Sequence, residues 1–241
     1  MKKSVIVLAA ASLGMLASCG NKATVKNGEA YGLVHGAGYV GAATVKVEGD
    51  KITDATLMEY CLPTYITPEA ASDDTVAVEV TSHGETSTKN FYKEVKFGSY
   101  TLTFNAEQKT YLSGTTTMVA FFQSEEACKA YAAAVAANEV SVTIAGAAKK
   151  DIMTHAALSK DENGYGGAKF DWKKNRNATV EAFKSLGEDL LKAAKKTEGD
   201  DLKNWYVGDT NTGATWTDLN TTKENSTSYA QLLVNALKAA K

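Results

Sequence analysis

Tyr31-Gly32-Leu33-Val34-His35-Gly36-Ala37-Gly38-Tyr39-Val40-Gly41-Ala42-Ala43 is the stretch on which the fold turns. Its glycines spell Gly36-x-Gly38-x-x-Gly41, the spacing of a dinucleotide-binding turn, which requires a helix directly after the last glycine. The residues after Gly41 are not helical in pattern. Ala43, Val45 and Val47 alternate with Thr44, Lys46 and Glu48 at the period of a strand, and Gly49-Asp50 signals a turn. Ile52 to Tyr60 reads as the answering strand. The glycines therefore belong to a twisted strand or a bulge, and a dinucleotide-binding parallel sheet is excluded.

Further along, residues 62–75 hold both prolines, Pro63 and Pro68, and read as a loop. Strand periods recur at Val76 to Val80, Phe91 to Phe97, Ser99 to Phe104 and Thr115 to Phe122, with Gly98 at a turn. Ser124 is placed to cap a helix running to about Ala137, with Ala127, Tyr131, Ala134 and Val135 on one face. Val140, Val142 and Ile144 alternate as another strand. From Lys149 to Trp172 the chain is polar and glycine-rich around Tyr165. Ala178 to Lys196 has helical spacing, with Val180, Phe183, Gly187, Leu190, Leu191 and Ala194 on one stripe. Ser226 is placed to cap a last helix, whose stripe is Tyr229, Leu232, Leu233, Ala236 and Leu237.

Toward the N-terminus the pattern changes kind. Lys2 and Lys3 precede an apolar run from Val5 to Ala17, roughly a dozen residues and too short to span a bilayer. Leu16-Ala17-Ser18-Cys19 then matches a bacterial lipobox, in which the cysteine becomes the lipidated first residue of the mature protein. Residues 1–18 are thus expected to be a signal peptide, Cys19 a lipid anchor on the extracytoplasmic face, and residues 19–30 a tether. Removing residues 1–18 takes away two lysines and no acid, so the formal charge moves from −2 to −4. A mildly acidic chain of this size argues against nucleic acid as a partner. Beyond Cys19 the cysteines are Cys61 and Cys128, and outside the cytoplasm they admit either a disulfide or two separate thiols.

The chemistry concentrates in Asp209-Thr210-Asn211-Thr212-Gly213-Ala214-Thr215-Trp216-Thr217, a polar, small-residued stretch preceded by Trp205 and Tyr206. Gly213 and Ala214 leave the neighbouring hydroxyls unshielded, and such residues also suit an ordinary turn. Asp209, Thr212, Gly213, Ala214 and Thr215 match D-x-x-[ST]-G-A-[TS], and the match precedes the last predicted helix. On these residues the chain resembles FMN-binding-domain lipoproteins, strongly over residues 178–240 and weakly from residue 31, where the glycine-rich hairpin is similar to their first one. The resemblance departs where about ten polar residues separate the acceptor from that helix, whereas compact members start the helix almost directly.

The resemblance implies an α+β fold: antiparallel sheet with a few packed helices, and the acceptor loop before the C-terminal helix. It implies one domain over 31–241, which a faint internal likeness divides into degenerate halves near 31–145 and 146–241. It implies FMN joined covalently to Thr215 by a flavin transferase, with Thr215 as the oxygen nucleophile in a phosphoryl transfer. Asp209 would orient the loop or touch the transferase. Trp216 and Tyr206 border the attachment point and offer aromatic surface to the flavin ring; Trp172 and Tyr165 are weaker candidates. Ser113-Gly114-Thr115-Thr116 echoes the signature, which makes Thr116 a weaker second acceptor, since Thr110 stands where Asp is wanted and Thr115 replaces Ala.

The function so implied is an electron carrier, not an enzyme, passing electrons from a membrane donor to an extracytoplasmic acceptor. The competing expectation is a non-redox lipoprotein, solute-binding or adhesive, that keeps the same fold without cofactor. His35, His83 and His155 carry no ligand spacing, so no metal site is expected.

Overall fold

A computed structural model describes residues 24–34, 37–49, 51–82, 84–154, 180, 183–184 and 229–240. The glycine-rich stretch does form strands. β1 (Val25–Val34), β2 (Tyr39–Glu48) and β3 (Lys51–Cys61) make an antiparallel meander in the order β1-β2-β3. β2 and β3 meet at Gly49, whose φ of 61° suits glycine. The β2–β3 register shifts between Lys46 and Val47, so a bulge is present as well. β1 begins at Val25, inside the stretch expected to be a tether.

A second, six-stranded sheet has the order β11-β10-β6-β7-β8-β9. It comprises β6 (Glu94–Phe97), β7 (Tyr100–Asn105), β8 (Thr110–Ser113), β9 (Thr116–Thr117), β10 (Ser141–Ile144) and β11 (Ala147–Lys149). β4 (Thr75–Ser82) and β5 (Glu85–Tyr92) pair only with each other, as a ribbon. Two helices, α1 (Met118–Phe121) and α2 (Glu125–Ala136), follow β9, and α3 (Tyr229–Ala239) is the helix closing the described chain.

These findings correct the expected α+β fold with the plan of an FMN-binding domain. Among the described residues 50% are strand and 22% helical, in three separate antiparallel sheets. The physical reason is the run of Val- and Thr-rich, period-two sequence from Val25 to Lys149, which favours pairing over helix and leaves helices only a covering role. A second correction is local. Thr115 to Phe122 has the composition of a single strand, yet β9 stops at Thr117, whose hydroxyl accepts from the Ala120 amide and starts α1.

The helix caps follow the sequence. Ser124 Oγ accepts from the Ala127 amide at 3.4 Å, with Glu125 and Glu126 in the first turn of α2 where the helix dipole favours acids. In α3, Leu232, Leu233, Ala236 and Leu237 are buried, each leucine worth about 1.5–3 kcal/mol. Val180 and Phe183 are helical and buried too, on the stripe expected for them. The same core continues as an aromatic cluster against the six-stranded sheet: Phe97 stacks on Phe122 at 5.8 Å and meets Tyr131 edge-on at 5.1 Å. Phe91 stacks on Phe104 at 4.5 Å, which seats the β4–β5 ribbon against β7.

Candidate functional site

Asp209, Thr212, Gly213, Ala214, Thr215, Trp216 and Tyr206 lie outside the described residues, as do Cys19, Trp172, Tyr165 and the three histidines. Among the described residues, the element that follows the signature in sequence is α3.

Residues paired across β1 and β2 share a face, so Gly28, Ala30, Gly32 and Val34 stand beside Val45, Ala43, Gly41 and Tyr39. This face is built of small residues, and α3 lies directly upon it. A Cβ on Gly41 would meet Leu232 Cδ2 and Val34 Cγ1, each at 2.7 Å. One on Gly28 would stand 1.9 Å from the Ala236 carbonyl oxygen and 2.6 Å from the Ala240 amide. These contacts fix a direction. Leu232 sits at the Gly41–Val34 end and Ala236 to Ala240 at the Gly28 end, so α3 runs antiparallel to β1. Its N-terminal end points to the tip of the β1–β2 hairpin.

That tip carries aromatic surface. A single turn of 3₁₀ helix, Pro63–Tyr65, starts with proline at its first position and is tied to the hairpin by the Leu62 amide, which donates to the Gly38 carbonyl at 3.3 Å. The Tyr65 amide donates to the Leu62 carbonyl at 3.0 Å. The turn holds the Tyr65 ring 5.0 Å from the Tyr39 ring, the two planes tilted by 30°. Tyr39 is buried; Tyr65 is 46% exposed, with its hydroxyl over Gly38. The sequence alone does not single out Tyr65, because residues 62–75 read only as loop. The usable signal is Pro63, two residues before an aromatic.

The opposite face of the same sheet is polar. Tyr31 OH donates to Glu29 Oε2 at 3.2 Å, Lys129 Nζ reaches the same oxygen at 3.2 Å, and Lys129 stands 5.3 Å above the Tyr31 ring. Burial, with help from the Glu29 carboxylate, pushes the Tyr31 phenol up to about 12. Asn27, Glu29, Thr44, Lys46 and Asp54 line a shallow open hollow nearby. These groups tie α2 to the sheet; they do not assemble a nucleophile, a base and an orienting partner.

No known protein family, curated protein or solved structure matches this chain. Fold-level analogy therefore adds nothing to the site's own geometry.

The remaining sequence candidates find their places. Thr116 is exposed, but its backbone is laddered to Ser113 across a tight turn at Gly114, where φ is 61°. Cys61 and Cys128 are not joined by a disulfide. Both are buried thiols, and the Cys128 thiol donates to the Phe122 carbonyl at 3.1 Å. Among the described residues no three of His, Cys, Asp and Glu converge on a metal-sized site, and no helix is long and apolar enough to cross a membrane.

Proposed function

We propose that this chain is a lipid-anchored, extracytoplasmic electron carrier that holds FMN by a phosphoester to Thr215. The observation that carries the reading is the signature Asp209-x-x-Thr212-Gly213-Ala214-Thr215 in the tract leading to the amphipathic helix α3. The lipobox at Cys19 supports the location.

The loading step balances without a redox partner. Thr215 Oγ attacks the FMN phosphorus of FAD, the new O–P bond replaces the bond to AMP, and AMP leaves as the hydroxyl proton is lost. A flavin transferase would supply this chemistry; the acceptor needs only a small, approachable hydroxyl, which Gly213 and Ala214 favour. Covalent attachment suits the exterior, because a tethered cofactor keeps a fixed effective concentration where a free one is diluted away. Bound FMN would supply the redox chemistry, and the chain would hold the ring and exchange electrons with a membrane donor and an outer acceptor.

Intact-mass measurement of protein made in a host with the transferase tests this reading. One FMN phosphoester, retained in denaturant and lost in Thr215→Ala, is the expected result. A mass without flavin would return the chain to the non-redox alternative. Flavin surviving in Thr215→Ala would move the acceptor, with Thr116 the first position to test.

A further inference from the structure

We infer that the outer edge of β5 is the surface through which two copies of this chain pair, antiparallel and centred on Ser87. β4 and β5 pair with each other alone. Glu85, Thr86, Ser87, Thr88 and Lys89 are all exposed, so this end of the ribbon stands clear on both faces.

The backbone phase of the ribbon follows from three bonds made outside it. The Glu79 carbonyl accepts from Lys109 Nζ at 2.7 Å, and the Tyr92 carbonyl accepts from the Tyr111 hydroxyl at 2.9 Å. The Thr75 amide donates to the Ser72 carbonyl at 3.1 Å. Glu79, Tyr92 and Thr75 therefore turn their backbone groups away from the partner strand. Thr88 lies opposite Glu79, and Thr86 follows at the same alternate spacing, so both turn theirs outward too. On β4 the Lys109 ammonium occupies this edge. On β5 the amides and carbonyls of Thr86 and Thr88 meet no backbone partner on that side among the described residues. Such groups template the addition of another strand.

Charge selects which strand. Glu85-Thr86-Ser87-Thr88-Lys89 is complementary to its own reverse. With Ser87 on a two-fold axis, Glu85 stands opposite Lys89 of the second copy, and Thr86 opposite Thr88 of the second copy. The bare groups of the threonines then meet in hydrogen-bonded pairs on each side of the axis. Glu85 and Lys89 fall in the closer, non-hydrogen-bonded pairs, with Cα atoms about 4.5 Å apart. Among the described residues neither makes an ion pair within its own chain, so both are available. The contact is isologous and closes at two copies, giving a four-stranded sheet with β4 at each margin.

Sedimentation velocity on the full chain, from about 10 μM to about 1 mM, tests this. A contact of this length is small beside the roughly 20–30 residues a side of a standard interface, so the dimer is expected toward the upper end of that range. Glu85→Lys or Lys89→Glu alone turns two attractive pairs into two repulsive ones and is expected to weaken association about tenfold. The double variant Glu85→Lys/Lys89→Glu restores both pairs and is expected to dimerise like wild type. An equimolar mixture of the two single variants is expected to do the same, because each complements the other; variants that merely misfold would not rescue one another. Wild type that stays monomeric throughout the range overturns the inference. Association indifferent to both single reversals overturns it too, and so does failure of both rescues.

Discussion

Gly28 lies beneath the Ala236 carbonyl so closely that a single methyl group on it would stand 1.9 Å from that oxygen. The obstacle is backbone on both sides, since the Ala240 amide is 2.6 Å away. Gly41 presents a milder case, because its neighbours Leu232 and Val34 are side chains that can rotate.

The two glycines should therefore differ in their tolerance of a methyl group. Gly28→Ala should cost about 1–3 kcal/mol or more by forcing α3 off the sheet, and Gly41→Ala should cost less. Urea unfolding of both variants checks this. Equal midpoints for the two would show that α3 is not seated as described.

Ser124→Ala removes the side-chain acceptor at the start of α2, where Oγ takes the Ala127 amide. The expected loss is about 1 kcal/mol. Ser124→Asp restores an acceptor and adds favourable charge at the same end, so its midpoint should return to the wild-type value or exceed it.

Alkaline pH should weaken the fold through Tyr31. Its folded pKa, about 12, lies above the ordinary 10.0, so the folded state holds the phenolic proton more tightly. That contribution is complete below pH 10 and drains away as pH rises toward 12. The stability advantage of wild type over Tyr31→Phe should therefore shrink across that window, measured by denaturant midpoints at successive pH values. A constant gap would mean that Tyr31 titrates normally.

Thiol reactivity should report unfolding. Cys61 and Cys128 are both buried, and burial, with a smaller effect of Glu125, pushes the Cys128 thiol up to about 12. Alkylation of native protein at neutral pH should leave both unmodified, and denaturant should expose two thiols without a reducing agent. Labelling of Cys128 in the native state would contradict its place between Phe122 and Glu125.

Much of the fold is legible wherever one periodicity rules a segment. The alternation after Gly41, the Ser124 cap and the α3 stripe each translate into the element they predict. Legibility fails where signals compete. Val25 to Glu29 is polar because β1 is an edge strand with one side facing water, so it reads as a tether. Thr115 to Phe122 is β-branched at its start and aromatic at its end, and only the Thr117 cap reveals the switch to helix. The division into three sheets depends on which strands pair, a long-range property that no local pattern carries. For the candidate site, the Thr215 signature is readable in the sequence, whereas the packing of Tyr65 on Tyr39 is not, because it joins the turn at Pro63 to a strand more than twenty residues earlier.

The outer edge of β1 has a further consequence. The Tyr31 amide, facing away from β2, donates to Glu125 Oε1 at 3.1 Å, which puts a carboxylate where an intruding strand from another molecule would have to register. At high concentration, copies of one chain meet constantly and offer one another the same strand edge. A guarded margin of this kind lets neighbours collide and separate, so crowding need not end in fibrous clumps.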